Sequence, residues 1–495
     1  MRVVGYAELA AATERFAARL AGLGVRRGDV VAVQLPNWWE LLPLSLACAR
    51  IGAVFCPLMV IYRRRELDYI LRLTGARVCI TMARWDGARL ADVVCDIAAG
   101  LPDLEHVIVA GRTDGTGPAG TIGFGDWFSG EPAAAVDRTA ELGPDEPFLL
   151  LFTSGTTGEP KGVLHSQNTL YASAAAYADV LGQDAGTVTF ISHTATHYSG
   201  FVTGMLTSLL RGGATLLTEA WDPAAFVAIA PKYQVNVFYG APNFLVDLLA
   251  ACQASPADLA SLRFVISGSA PIPPPVLARI RAAFDVRVLA LWGMTENGAT
   301  TMTRLDDPPD WAEHSDGRPL GGMEVRIDLS AAPGSQDGSG LFLVRGPSQC
   351  LGYFRRAELY ASCLDPDGWF DTGDLARPDG RGGIRISGRV KDLVLAQGIN
   401  VPVAEVESAL LGHPAVRDAA VIGVPTESDE IVCAVIVPDG EPPSLGSVRA
   451  HLAGEGFTEL FWPRRIEITG ELPRTVTGKV RKVELRERYA GTTGR

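Results

Sequence analysis

Residues 148–166 read FLLLFTSGTTGEPKGVLHS. The apolar run ahead of Thr153 has the length and composition of a buried strand. GVLHS, which begins right after Lys161, reads as another, so the segment between them is a loop joining two strands. Bare N–H groups, hydroxyls and an ammonium all donate to anionic oxygen, and the loop's glycines, Ser/Thr residues and lysine therefore point to phosphate. It is not a Walker loop: Pro160 stands where that motif has glycine, and Gly162 stands where it has the magnesium-binding Ser/Thr. A Walker loop also opens a helix. Here the next helix, QNTLYASAAAYADVL, waits for Ser166, whose hydroxyl can cap it.

Outward from this loop, helical and strand patterns alternate. On the N-terminal side YAELAAATERFAARLAGLGV is helical, DVVAVQLP a strand, VFCPLMV a strand, RELDYILRLTG a helix and ARVCITM a strand, with Asn37 expected to start a helix. Such alternation implies layered α/β architecture with parallel strands. GLGVRRG imitates a dinucleotide fingerprint but follows a helix and precedes a strand, the reverse of the required context. Residues 110–139, rich in Gly, Ala, Thr and Asp, are expected to loop over the surface. A second α/β run follows as far as WGMTENG. Past Gly317 short strands with turn signals predict a β-rich subdomain, and from about Lys391 a compact α+β unit begins. The expected class is α/β: a large N-terminal domain, 1–389, of layered α/β subdomains plus the β-rich part, then a small α+β domain, 390–495.

Composition narrows the function classes. With 47% hydrophobic and 20% charged residues the chain is globular, and at 495 residues it exceeds one ordinary core. A formal net charge of −12 argues against general affinity for nucleic acid or acidic lipid. Eight cysteines without a C-x-x-C pair suit reduced thiols in a cytoplasm, and no signal pattern opens the chain. Residues 40–62 are long and apolar, but Pro43, Arg50, Gly52 and Pro57 interrupt them, so they read as a buried helix and strand rather than a membrane span.

TSGTTGEPKG, WGMTENG, DGWFDTGDL, GRVKDLVLAQGIN and LPRTVTGKVRK follow one another in an order and spacing that resemble the adenylate-forming superfamily: acyl- and aryl-CoA synthetases, stand-alone adenylation domains and beetle luciferases. The resemblance implies a large N-terminal domain and a small mobile C-terminal one. It also implies a two-step reaction, in which a carboxylate attacks the α-phosphate of ATP and a thiol then displaces AMP. By this resemblance Thr153, Ser154, Gly155, Thr156, Thr157, Gly158 and Lys161 cradle the β- and γ-phosphates. Gly268, Ser269, Ala270 and Pro271 form a backbone shelf under adenine, and Trp292, followed by Gly293, stacks on it. Thr295 donates to the α-phosphate, and Glu296 holds Mg²⁺, a hard ion suited to oxygen ligands. Asp374 accepts both ribose hydroxyls, Arg389 closes on the ribose, and Lys391 is the hinge. Lys479 bridges the substrate carboxylate and the α-phosphate, lowering the repulsion between two anions. Gly398 lines the pantetheine tunnel, and His197 stands beside the acyl pocket.

The implied substrates are ATP, CoA and a small carboxylic acid, with Mg²⁺ as cofactor, in a cytoplasmic monomer or homodimer. Segments 197–204, 239–242 and 298–301, with Gly268, are expected to line the acyl pocket. They carry no acidic or basic side chain apart from His197, which suits an acid apolar away from its carboxylate: aromatic, alicyclic, polycyclic or medium-chain. Glycines 200, 204, 240 and 298 are expected to leave it volume. Transfer to an acyl carrier protein is the alternative second step, and a non-catalytic nucleotide-binding module the rival from another class. His193 and His197, four apart, could suggest zinc, but no acidic third ligand accompanies them.

Overall fold

The structure is a computed structural model that describes residues 2–111, 118–129, 140–153, 160–270, 272–331, 338–396, 399–425, 430–475 and 479–489. The chain divides into two compact units. One comprises Met1–Asp222, Met294–Gly298 and Pro347–Ser362, the other Pro223–Gly293, Ala299–Gly346 and Cys363–Arg495.

The first unit is built on an eight-stranded sheet. Its strands run in the order Gly352–Tyr353, Lys161–His165, Leu149–Thr153, Val54–Pro57, Val30–Gln34, Val78–Met82, His106–Ala110 and Ile122–Gly123. From Leu149–Thr153 onward the pairs are parallel, whereas the first two pairs are antiparallel. Strand Val30–Gln34 is buried along its whole length. Val31 and Val33 join Phe16, Phe55 and Phe201 in one core, while Val30 and Ala32 join Leu67, Ile70 and Val94 in another. Alternate side chains thus feed two cores, and helices cover both faces, which is why the sequence reads as unbroken apolar runs. The expected helices form at Tyr6–Gly22, Arg64–Thr74 and Gln167–Leu181. The Ser166 side chain accepts from the Thr169 N–H, as expected of that cap.

Two local expectations fail. Asn37 starts no helix; the next one is Leu41–Arg50. Instead buried Asn37 donates through Nδ2 to the His193 carbonyl (3.2 Å) and accepts from the Ala195 N–H (2.6 Å), tying a loop 156 residues away to the strand end. Within 110–139, residues 112–117 and 130–139 lie outside the described residues. Between them Phe124–Ser129 is a helix rather than loop, because Phe124 and Trp127 pack on Phe16 with ring centroids 5.9 and 5.6 Å away. Burial of large rings outweighs weak propensity.

In the second unit strands Arg318–Pro319, Gly298–Met302, Arg287–Met294, Phe264–Ser267 and Val237–Gly240 lie side by side in that order, the last three parallel. The β-rich part is a four-stranded antiparallel sheet of Glu324–Asp328, Gly340–Arg345, Phe370–Pro378 and Ile384–Arg389. Beyond it strands Val416–Pro425, Glu430–Pro438 and Arg465–Ile468 form a sheet with a core on each face. Val406, Leu410, Val448 and Leu452 cover one face, Leu472 and Leu485 the other. Leu485 belongs to helix Lys482–Tyr489, which the sequence pattern did not reveal.

None of the eight cysteines is in a disulfide; Cys48, Cys56, Cys79, Cys350 and Cys433 are buried. Among the described residues no helix is long and apolar enough to cross a membrane.

Candidate active site

The loop read from the sequence does join two antiparallel strands. Thr153 stands directly opposite Lys161 in the ladder, so the segment leaves and re-enters the sheet at one level. Ser154, Gly155, Thr156, Thr157 and Gly158 lie outside the described residues. The same sheet edge adds Tyr353 opposite Val163, and the Phe354 N–H donates to the Gly162 carbonyl at 2.7 Å. Lys161 Nζ lies 5.0 Å from the centroid of the Tyr353 ring. The Tyr353 hydroxyl donates to Glu296 Oε1 at 2.9 Å, and the Cys350 N–H to the Glu296 carbonyl at 2.7 Å. Lys161 and Glu296 are thereby brought to one side chain that the sequence reading had not singled out. Its role depends on a strand pairing across 190 residues, which no local pattern announces.

Thr295 is fixed through its carbonyl, which accepts from His165 Nε2 at 2.7 Å. A carbonyl only accepts, so Nε2 carries the proton. Nδ1, at 2.9 Å, then accepts from the Thr169 hydroxyl. Full burial holds the His165 pKa down to about 4, against the partial support of the Thr295 carbonyl. The ring is therefore a neutral brace. His165 too escaped the sequence reading.

In the second unit three of the expected nucleotide residues meet. Asp374 stands opposite Arg389 in the antiparallel ladder, and Arg389 Nε reaches its Oδ1 at 2.7 Å. Trp292 Nε1 donates to its Oδ2 at 3.0 Å, while the indole packs edge-on against Phe342 at 4.7 Å. A carboxylate has about four acceptor positions, so each oxygen of Asp374 retains one. Gly268 follows the end of a parallel strand beside Trp292's strand, where open α/β sheets bind ligands. A Cβ there would lie 2.5 Å from the Leu291 carbonyl oxygen. Ser269 has φ +69°, and its Oγ is 3.3 Å from the Tyr239 hydroxyl. A non-glycine residue in the left-handed region is a local strain, here on the expected shelf. Ala270 continues the bend; Pro271 lies outside the described residues. Gly293 lies within strand Arg287–Met294.

Lys391 occupies a single 3₁₀ turn, Val390–Asp392. Arg486 of the last helix anchors that turn through Asp392 Oδ1 at 3.1 Å. Lys479 is held against Thr475: its N–H donates to Thr475 Oγ1 at 3.1 Å and its carbonyl accepts from the Thr475 N–H at 2.7 Å. Gly398 lies outside the described residues.

The family model described as AMP-binding enzyme matches residues 2–354, and its C-terminal domain model matches residues 405–479. The chain belongs to the AMP-binding enzyme family. It is 33% identical over 94% of its length to the medium-chain fatty-acid–CoA ligase of Escherichia coli, covering 82% of that protein. It is 35% identical to a methyl-dioxo-octahydroindenyl propanoyl:CoA ligase of Mycobacterium tuberculosis, over 97% of this chain and 93% of that one. Among solved structures, ATP-bound MatB from Rhodopseudomonas palustris superposes with a TM-score of 0.87 at 30% identity, covering 99% of this chain and 94% of that chain.

In this AMP-binding enzyme the expectation of open volume needs correction at Gly200, Gly204 and Gly298. A Cβ on Gly200 would fall on the Thr194 carbonyl oxygen, and one on Gly204 would lie 2.5 Å from Ile191 Cδ1. On Gly298, at φ +65°, it would meet the Tyr198 hydroxyl and lie 2.7 Å from Ser173 Oγ. These glycines allow close packing and do not open space. Gly200 and Gly204 belong to a π-helix, Ser199–Leu206, another element the sequence hid. Thr207 Oγ1 donates to the Val202 carbonyl, five residues back, at 2.8 Å. His197 precedes it, with Nδ1 2.8 Å from Ser199 Oγ and its ring stacked 6.2 Å from that of His193. π-turns are uncommon and concentrate at functional sites.

Proposed function

We propose that this chain is an ATP-dependent, AMP-forming acid–CoA ligase. A carboxylate is a poor electrophile because its charge repels nucleophiles and oxide leaves badly. Attack by its oxygen on the α-phosphate of ATP makes acyl-AMP and expels pyrophosphate; the thiol of CoA then displaces AMP. The enzyme supplies no nucleophile, so its work is to bring anions together and stabilise the charge developing on phosphorus.

The observation that carries this reading is the Asp374 clamp, in which Arg389 and Trp292 each hold one oxygen and leave one acceptor position apiece for a ribose diol. Around it Trp292 stacks on adenine, and Gly268, Ser269, Ala270 and Pro271 form the opposite shelf. Thr153, the glycine- and hydroxyl-rich loop and Lys161 hold the β- and γ-phosphates, and Thr295 donates to the α-phosphate. Lys479 spans the carboxylate and the α-phosphate, and Lys391 is the joint between domains 1–389 and 390–495. Separate family models on either side of that joint support the division.

Magnesium suits a single carboxylate that shares the ion with phosphate oxygens and water. Glu296 is buried, with no ion-pair partner among the described residues, and a buried carboxylate without a cation is costly. Glu296 would hold the ion, which supplies neutralisation of phosphate charge when bound.

The acid is apolar and larger than acetate, in keeping with the names of both curated relatives and the uncharged lining segments. CoA is the acceptor in both of those names, which favours it over a carrier protein; Gly398 would line its tunnel and His197 the acyl pocket. Thiols outside any disulfide, five of the eight buried, suit a cytoplasmic setting. The deciding experiment measures ATP–pyrophosphate exchange across aromatic, alicyclic, polycyclic and medium-chain acids, then offers CoA or a phosphopantetheinyl carrier. Acid-dependent exchange followed by acyl-CoA is expected; no exchange with any class overturns the reading.

A further inference from the structure

Tyr353 belongs to none of the five motifs, yet it touches two of them. The residue is buried, and two of its neighbours carry opposite charge: its hydroxyl donates to Glu296 Oε1 at 2.9 Å, and its ring face lies 5.0 Å from Lys161 Nζ. No ion pair joins Lys161 to Glu296 among the described residues. Opposite charges in a poorly solvated cleft attract strongly, and a direct pair would neutralise both before any anion arrived. A phenol engages each without doing so. Its hydroxyl occupies one carboxylate oxygen, and its ring quadrupole attracts the ammonium while leaving all three N–H donors available.

The ring is itself held. Tyr360 packs against it at 85° with centroids 5.5 Å apart. The Tyr360 hydroxyl donates to the Cys350 carbonyl at 3.0 Å and accepts from Gln349 Nε2 at 3.1 Å. The Cys350 N–H in turn holds the Glu296 carbonyl, and Ser348 Oγ donates to the Asn297 carbonyl at 2.6 Å. The strap 348–354 thus fixes both the main chain and the side chain of Glu296 from one side, and the lysine strand from the other.

We propose that Tyr353 is a positioning residue that keeps the Lys161 ammonium and the Glu296 carboxylate apart and pre-aimed, the one at the terminal phosphates and the other at a divalent cation. The inference rests on the roles proposed above for those two residues. Its test is calorimetric binding of three ligands to the full chain: ATP with magnesium, ATP with a chelator, and AMP. Tyr353→Phe keeps the ring and removes the hydroxyl; binding of magnesium–ATP is expected to weaken about ten-fold, with chelated ATP and AMP bound as by the parent. Tyr353→Leu removes the ring as well, and chelated ATP is then expected to weaken about three-fold. That extra loss should vanish in a Lys161→Met background, because the ring acts through the lysine. Variants that bind magnesium–ATP like the parent, or that lose AMP affinity and thermal stability in step with it, overturn the proposal while leaving the ligase reading intact. A parent protein whose ATP affinity ignores magnesium overturns the roles of Glu296 and Tyr353 together.

Discussion

His165 ties the pH response of the fold to the backbone of Thr295. Its folded-state pKa of about 4 lies below the ordinary value of 6.5, because burial penalises the imidazolium. The unfolded chain therefore binds the proton more readily, and stability contributed by the neutral ring is present above pH 6.5 and lost as pH falls through about 4. The loss amounts to about 3 kcal/mol. Denaturant unfolding of the parent and of His165→Gln between pH 7 and 4 should show the two curves converging towards acid, so that the cost of the substitution is smallest at low pH. Parallel curves would count against the buried neutral ring. Gly298 makes a separate prediction at the same scale. Replacing it by alanine adds a Cβ at φ +65° against Tyr198 and Ser173, and should cost about 2–4 kcal/mol in thermal or denaturant unfolding.

At the scale of elements, helix Lys482–Tyr489 covers one face of the C-terminal sheet with buried Leu485 and partly buried Tyr489. Leu485→Ala should destabilise that domain by about 2–4 kcal/mol, read as earlier proteolysis and a lower unfolding midpoint. What holds the rest of the helix is ionic. Lys482 Nζ pairs with Glu407 at 2.6 Å, both largely buried, and Arg486 with Asp392 at 3.1 Å. This explains why KVELRERY gave no helical signal: Leu485 and Tyr489 alone span a single turn and make no repeating stripe, and the charges that anchor the helix look like a solvated face until their partners are known. The π-helix was invisible for a different reason, since its five-residue return leaves no mark in the 3.6-residue period used to read helices. Strands Val30–Gln34 and Val78–Met82 and the Thr153-to-Lys161 hairpin were legible because burial on both faces writes itself as composition. At the site, Asp374 and Arg389 could be named from motifs, but their direct opposition came from the ladder. Tyr353, His165 and Asn37 act through partners more than 50 residues away, where local sequence carries no signal.

For the whole molecule, the proposed division of labour separates two half-reactions that one substitution can resolve. Lys479→Ala should slow acyl-AMP formation by about a hundred-fold or more while thioester formation from supplied acyl-AMP changes little, measured by pyrophosphate exchange and by CoA consumption. Equal loss in both would remove the assigned role.

The placement of sulfur bears on the same chemistry. Burial pushes the Cys79, Cys350 and Cys433 thiols up to about 12, and those of Cys48 and Cys56 higher still. Since the thiolate is the attacking species, these five side chains are inert nucleophiles at neutral pH. A catalyst that generates mixed anhydrides has thus withdrawn five of its eight thiols from self-acylation. Mass spectrometry after exposure to iodoacetamide should find Cys95, Cys252 and Cys363 alkylated well before the other five.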